Sequence, residues 1–263
     1  MKALLLLLIP GLAYADDPCE FTVADPVITP VRDVALDAQR AACVRDDVAV
    51  GMLAHALIDT PGFHGVLGGD LLVGVRFSIK KAYELSAQLR VVDVTYVQNA
   101  VNKATHIGGG PVVLGGVATT PLGAARAGVL LQLELPFTRD RMDTMHFGGQ
   151  LAAIISDRLT DRLVLHGRLG GVGMVASSLG GDTSRVAFRA GADLAWHLRE
   201  RLALSAGAEI SAGWYGGFDH VLFRAGLHWQ PTDRWRLLAG LGAPAFGDER
   251  TNAVIVVTVA HDS

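Results

Sequence analysis

On one parity of the stretch "SRVAFRAGADLAWHL", residues 184–198, fall Arg185, Arg189, Asp193 and His197. A guanidinium can grip a carboxylate through two parallel hydrogen bonds, hold an anion, or line a polar path. A histidine adds a group that takes up and releases protons near neutrality. The same residue types recur elsewhere, as Asp70, Arg76, Glu84, Gln88, Arg90, Arg126, Gln132, Glu134, Gln150, Arg162, His166, Arg168, Glu209, Arg224 and His228. A second chemistry is hydrolysis. Asp59 with His64, Asp143 with His146, and Asp219 with His220 form couples that can activate water. Against it, no Gly-x-Ser-x-Gly elbow, His-Glu-x-x-His helix or Walker A loop occurs. The reading is therefore of a non-enzyme: no catalytic residue, no metal ligand and no cofactor is assigned.

The elements that carry these residues follow from their spacing. A period of two is that of a β-strand, whose successive side chains point to opposite faces. From Asp46 onward this period predicts strands at roughly 47–58, 65–78, 83–97, 107–119, 124–137, 144–156, 162–176, 184–198, 201–214, 218–229, 234–243 and 251–261. The Gly-rich strand at 107–119 has no polar face. In 162–176 one parity holds Arg162, His166 and Arg168, the other Leu163, Leu165 and Leu169. In 218–229 His220, Arg224 and His228 oppose Val221, Phe223 and Leu227, and in 201–214 Glu209 opposes Leu204 and Ile210.

A soluble barrel would turn the apolar parity inward; a membrane barrel turns it toward lipid. Three features favour lipid. The polar parities are rich in Arg and hold none of the four lysines. Apolar-parity aromatics gather near strand ends, with Phe77, Tyr83, Trp196, Trp229 and Trp235 at one rim and Phe137, Phe147 and Trp214 at the other, as in interfacial girdles. Most strands match or exceed the roughly 9–11 residues a tilted membrane strand needs. An arginine facing lipid at the midplane costs about 2–4 kcal/mol, so the charges must face the lumen. The expected fold is all-β: a transmembrane antiparallel barrel of about 12 strands.

Bulk properties agree. The 263 residues are 50% hydrophobic and 19% charged, with 31 glycines, and the net charge of −3 gives no support to nucleic acid as a partner. "KALLLLLIPGLAYA" has the layout of a secretory leader cleaved after Ala15, and is too short to span a bilayer as a helix. Residues 16–45 form a periplasmic segment with several prolines and one short helix in "RDVALDAQRAACVR", placed so that it can tuck into the barrel mouth. The only cysteines, Cys19 and Cys43, should form a disulfide in an exported chain. Residues 46–263 are the barrel. Its short connections ("SIKKAYE", "SDRLTDR", "LRERL", "QPTDRW") alternate with longer ones, as periplasmic turns alternate with extracellular loops, and an even strand count returns both ends to the periplasm.

From "IDTPGFHGVLGGDLLVGVRFSI" through "GGPVVLGGVATTPLGAARAGVLLQLELPF" the chain resembles bacterial outer-membrane barrels, in particular the transporter-like group associated with phenol meta-pathway degradation. The resemblance rests on a Gly-Gly-x-Val-Leu-Gly-Gly strand, a tight turn, and an apolar strand ending in Leu135-Pro136. It implies an outer-membrane location and movement of small hydrophobic compounds, and maps no functional residue. The expected function is passive passage of a small solute through a lumen lined by arginines and carboxylates, with outer-membrane lipid as the surrounding partner. The alternative is a barrel with an occluded interior that serves as structure or anchor; the third is a surface hydrolase using the loop Asp–His couples.

Overall fold

The computed structural model describes Cys19 and residues 41–59, 64–80, 82–98, 103–123, 125–136, 145–178, 181–215, 220–247 and 251–262. These residues form β1 (Asp47–Asp59), β2 (His64–Ile79), β3 (Tyr83–Gln98), β4 (Lys103–Gly108), β5 (Val112–Leu122), β6 (Ala125–Leu135) and β7 (Met145–Thr160). They continue as β8 (Leu163–Ser178), β9 (Gly181–Arg199), β10 (Leu202–Tyr215), β11 (His220–Trp229), β12 (Trp235–Gly247) and β13 (Thr251–Asp262). Each strand is antiparallel to its neighbour, β1 pairs with β13, and the β2–β3 pairing closes the ring. β4 and β5 are two halves of one stave: β3 pairs with β4 through Asp93–Gln98 and with β5 through Tyr83–Leu89. The result is a closed barrel of 12 antiparallel staves. Closure leaves no sheet edge, which hydrocarbon would not tolerate.

Alternation decides which way each strand faces. Met52, Leu67, Leu131, Leu151, Leu169, Ile210, Phe223 and Ile255 point out and are exposed, whereas the interleaved polar parity is buried. Outward side chains form a continuous apolar belt, the reverse of a soluble barrel. At the rims sit Phe77, Tyr83, Trp196, Trp229 and Trp235 beside the short turns, and Phe147 and Trp214 at the opposite end, all exposed. Phe188 and Trp214 stack on the outer surface at 5.7 Å. Phe137, the leader and residues 32–40 of the expected helix lie outside the described residues, and residues 41–45, its expected last part, are not helical.

The strands differ from expectation in three places. At the loop end several run further, β8 reaching Ser178 and β12 reaching Gly247, because paired backbone continues past the last recognisable alternation. Arg162 is not in the lumen: it sits exposed in the Asp161–Arg162 turn before β8. A turn's second residue faces solvent whatever parity a longer strand would give it. The third departure is the Gly-rich stretch expected as one strand over 107–119, which breaks at Gly109–Pro111. There Gly110 N donates to Arg90 O at 3.0 Å and Arg90 N to Pro111 O at 3.4 Å, so the ladder is bridged rather than lost. A Cβ on Gly110 would collide with the Arg90 side chain. Glycine is therefore required where a buried arginine crosses the break.

Leu169 tests the orientation. It lies mid-strand, between Ala153 and Ala190, and is 64% exposed on the outer face. Leu169→Arg is expected to lower the stability of the barrel refolded in lipid vesicles by about 2–4 kcal/mol, read by urea unfolding. A change within error would show that this face does not meet hydrocarbon.

Candidate functional site

The lumen is organised by ion pairs, and the register explains which ones form. At the turn end, Asp47 opens β1 opposite Arg76 on β2 and Asp262 on β13. Arg76 Nε donates to Asp47 Oδ1 at 2.7 Å, and Arg236 of β12 donates to Asp47 as well. Arg236 also holds Asp262, Nε to Oδ1 at 3.0 Å and Nη2 to Oδ1 at 2.6 Å. Two carboxylates and two guanidiniums thus join β1, β2, β12 and β13, which is where the chain's first and last strands must be locked together.

In the middle of the barrel, Glu209 of β10 receives Arg168, with Arg189 Nε at 3.8 Å and Arg224 Nη1 at 3.6 Å. Arg224 Nη2 reaches Asp193 at 3.1 Å. Arg189 and Arg224 reach Glu209 from the two adjacent strands, whereas Arg168–Glu209 and Arg224–Asp193 skip a strand. Arg168 on β8 and Glu209 on β10 each lie opposite Gly191 of the intervening β9. Asp193 on β9 and Arg224 on β11 each lie opposite Gly207 of the intervening β10, where a Cβ would collide with the Asp193 carboxylate. The inward glycines are spacers that let charges meet across a strand. A third group joins Arg90 to Asp70 at 3.3 Å and to Asp93 at 3.6 Å.

The remaining wall is less charged. Gln150 Nε2 donates to Gln132 Oε1, Ser156 Oγ shares a hydrogen bond of 2.9 Å with His166 Nδ1, and Ser205 Oγ one of 2.8 Å with His228 Nε2. Val117, Leu130 and Ile154 form an apolar patch facing inward from β5, β6 and β7, and Ala42 packs on it. That contact places Ala42 inside the barrel. Ala42 N donates to Ser156 Oγ at 2.8 Å on β7, and Arg45 N donates to Glu84 Oε2 at 2.9 Å on β3. Residues 41–46 therefore cross the turn end of the lumen as a strap before the chain enters β1. The Cys19–Cys43 disulfide is formed at its buried end.

The expected lumen residues Asp70, Arg76, Glu84, Arg90, Glu134, His166, Arg168, Arg189, His197, Glu209 and His228 are buried on the inward parity. Arg126, Arg185, Asp193 and Arg224 are half-buried there. Of the Asp–His couples, Asp59 and His64 fall opposite each other where β1 meets β2, while Asp143 and Asp219 lie outside the described residues. Sequence reasoning missed Asp47, Asp93, Arg158, Arg236 and Asp262 as lumen groups. Arg236 carried a visible signal, since it shares the polar parity of its strand. Asp93 carried none. It faces inward with Arg90, three residues away, because a bulge pairs Leu71 with Val92 and Leu72 with Arg90, which leaves both Val91 and Val92 outside.

No family model matches the sequence, and no curated protein matches it either. Solved structures do share the fold. An outer-membrane channel from Pseudomonas putida F1 is 14% identical, aligning over 83% of this chain and 95% of that one with a TM-score of 0.60. The translocator domain of the autotransporter NalP from Neisseria meningitidis is 14% identical over 83% and 88%, at 0.55. The NanC porin is 10% identical over 82% and 98%, at 0.53. The chain has the fold of outer-membrane barrels, among them channels, porins and autotransporter domains.

The central cluster generates a stability test. Glu209→Gln leaves Arg168, Arg189 and Arg224 around a neutral amide. Removing the carboxylate from a buried cluster is expected to cost about 3–5 kcal/mol, read as a lower unfolding temperature of the detergent-solubilised barrel. The exposed Arg201–Asp233 pair, at 2.6 Å in the β10 and β12 turns, is the control: Asp233→Asn should cost about 0–1 kcal/mol.

Proposed function

We propose that this chain is an exported outer-membrane barrel that lets a small solute pass passively through a narrow lumen lined by arginines and carboxylates. The observation that carries the reading is the inward cluster of Arg168, Arg189 and Arg224 around Glu209 and Asp193, enclosed by an outer surface of apolar side chains. Three cations against two anions on one wall set a positive potential, and a low-dielectric surround strengthens it. Half-buried Arg126 and Arg185 extend that sign toward the two ends. Small anions and polar solutes are therefore favoured over cations of similar size. The fold shared with a channel from Pseudomonas putida F1 and with the NanC porin is consistent with this role.

A second reading is favoured by one specific feature. The strap at residues 41–46 crosses the lumen, and most inward side chains are buried, as in an occluded barrel that serves as structure or anchor. Twelve staves lie between the smallest barrels, which side chains fill, and the wide porins. The two readings part in planar bilayers. Channel function predicts stepwise conductance in potassium chloride with a reversal potential favouring chloride, and Arg126→Glu with Arg185→Glu should move that potential toward zero or past it. Reduction of the Cys19–Cys43 disulfide loosens the strap and should raise the unitary conductance. Silence over many insertions, before and after reduction, would establish the occluded barrel.

A further inference from the structure

The spacer pattern of the lumen has one incomplete member. Glu209–Gly191–Arg168 and Asp193–Gly207–Arg224 each place a carboxylate, a glycine and a guanidinium in register on three consecutive strands. Glu134 on β6 lies opposite Gly148 on β7, which lies opposite Met174 on β8. The carboxylate and the gap are present, but a thioether occupies the cation's place. Glu134 is 1% exposed, and among the described residues neither of its oxygens has a hydrogen-bond or ion-pair partner. On its other side Glu134 faces Val113, and Val113 faces Gln88, whose amide nitrogen and oxygen are likewise buried without partners among the described residues. A carboxylate removed from water without a cation is costly, and the ion-pair groups at Asp47, Glu209 and Asp70 avoid that cost.

Met174 in turn pairs with Arg185 on β9. One tier therefore reads Gln88, Val113, Glu134, Gly148, Met174, Arg185 across five strand pairings: an amide and an acid on one side, an open step, then a polarisable apolar side chain and a base. We propose that this tier binds a small zwitterion, with its ammonium group at Glu134 over Gly148 and its carboxylate toward Arg185. The solute's aliphatic middle lies against Met174. The ammonium supplies the cation that the strand pattern omits, and Gln88 offers an acceptor oxygen to the remaining N–H groups. The inference rests on the reading that solute enters the lumen, and it narrows the solute class to amino acids of the α or ω type.

Isothermal titration of the detergent-solubilised full chain tests it, using alanine, 4-aminobutanoate and 6-aminohexanoate, with hexanoate and hexylammonium as single-charge controls. At least one amino acid should bind more tightly than both controls. Glu134→Gln should weaken its binding by about tenfold or more while leaving hexanoate unchanged, as loss of a charged hydrogen bond dictates. Met174→Arg restores the missing cation from within; it should abolish amino-acid binding and raise the unfolding temperature. Absence of binding by all three amino acids, or binding indifferent to Glu134→Gln in a barrel that still unfolds cooperatively, overturns the proposal. Should Glu134→Gln fail to fold, Met174→Arg decides: binding that survives it overturns the site. Because titration needs no conduction, a silent barrel that binds amino acids would sink the channel and keep the site. A conducting barrel that ignores them would do the reverse.

Discussion

A guanidinium held inside a barrel wall is tolerable only against a carboxylate, and much of this lumen is arranged to satisfy that condition. Some pairs form between adjacent strands, as Arg76 with Asp47 and Arg90 with Asp70. Others skip a strand. Gly191 and Gly207 remove a side chain from the middle of two ion pairs, so the charges meet over bare backbone. At these two positions glycine serves the pairing of the barrel's own charges.

The same demand shapes the backbone. Arg90 needs both Asp70 and Asp93, and strict alternation would send Asp93 outward; the bulge beside Val91 reverses the parity and brings it in. Opposite that bulge the partner stave breaks at Gly109–Pro111, where glycine clears the arginine's path. Two irregularities in neighbouring strands therefore have one cause. At the turn end the chain's first and last strands meet through Asp47, Arg236 and Asp262, so the seam that closes the barrel is also an ion-paired one.

How much of this was legible follows from how each feature is encoded. Strands such as β8, β9 and β11 could be read because one face meets an apolar medium and the other does not. That contrast writes a period of two into the residues themselves. Phe188, Leu169 and Phe223 announced the outer face as surely as Arg189, Arg168 and Arg224 announced the inner one. β4 and β5 were obscured because "HIGGGPVVLGG" lacks a polar parity, and its break depends on a partner, Arg90, about twenty residues earlier in the chain. Asp47 and Asp262 were passed over as strand boundaries, although a strand's end residue can still face the lumen. The bulge left no trace, since Val-Val-Asp-Val alternates equally well in either phase. Pairings across a spacer strand cannot be read from any one segment, because they exist only in the register among three.

The strap lies where the sequence expected a segment able to tuck into the barrel mouth, and it changes what the lumen is. A ring of ion pairs alone would give a cross-section charged on all sides. Ala42 on Val117, Leu130 and Ile154 instead shows an inward apolar patch that receives the strap, while β8, β9 and β11 carry Arg168, Arg189 and Arg224. Val117, Leu130 and Ile154 therefore answer to the strap rather than to lipid, and a second inward apolar cluster, Ala49, Leu53, Leu72, Val256 and Ala260, lies on β1, β2 and β13. The strap across the turn end and the apolar patch beneath it are two sides of one contact, made by a segment and strands far apart in the chain.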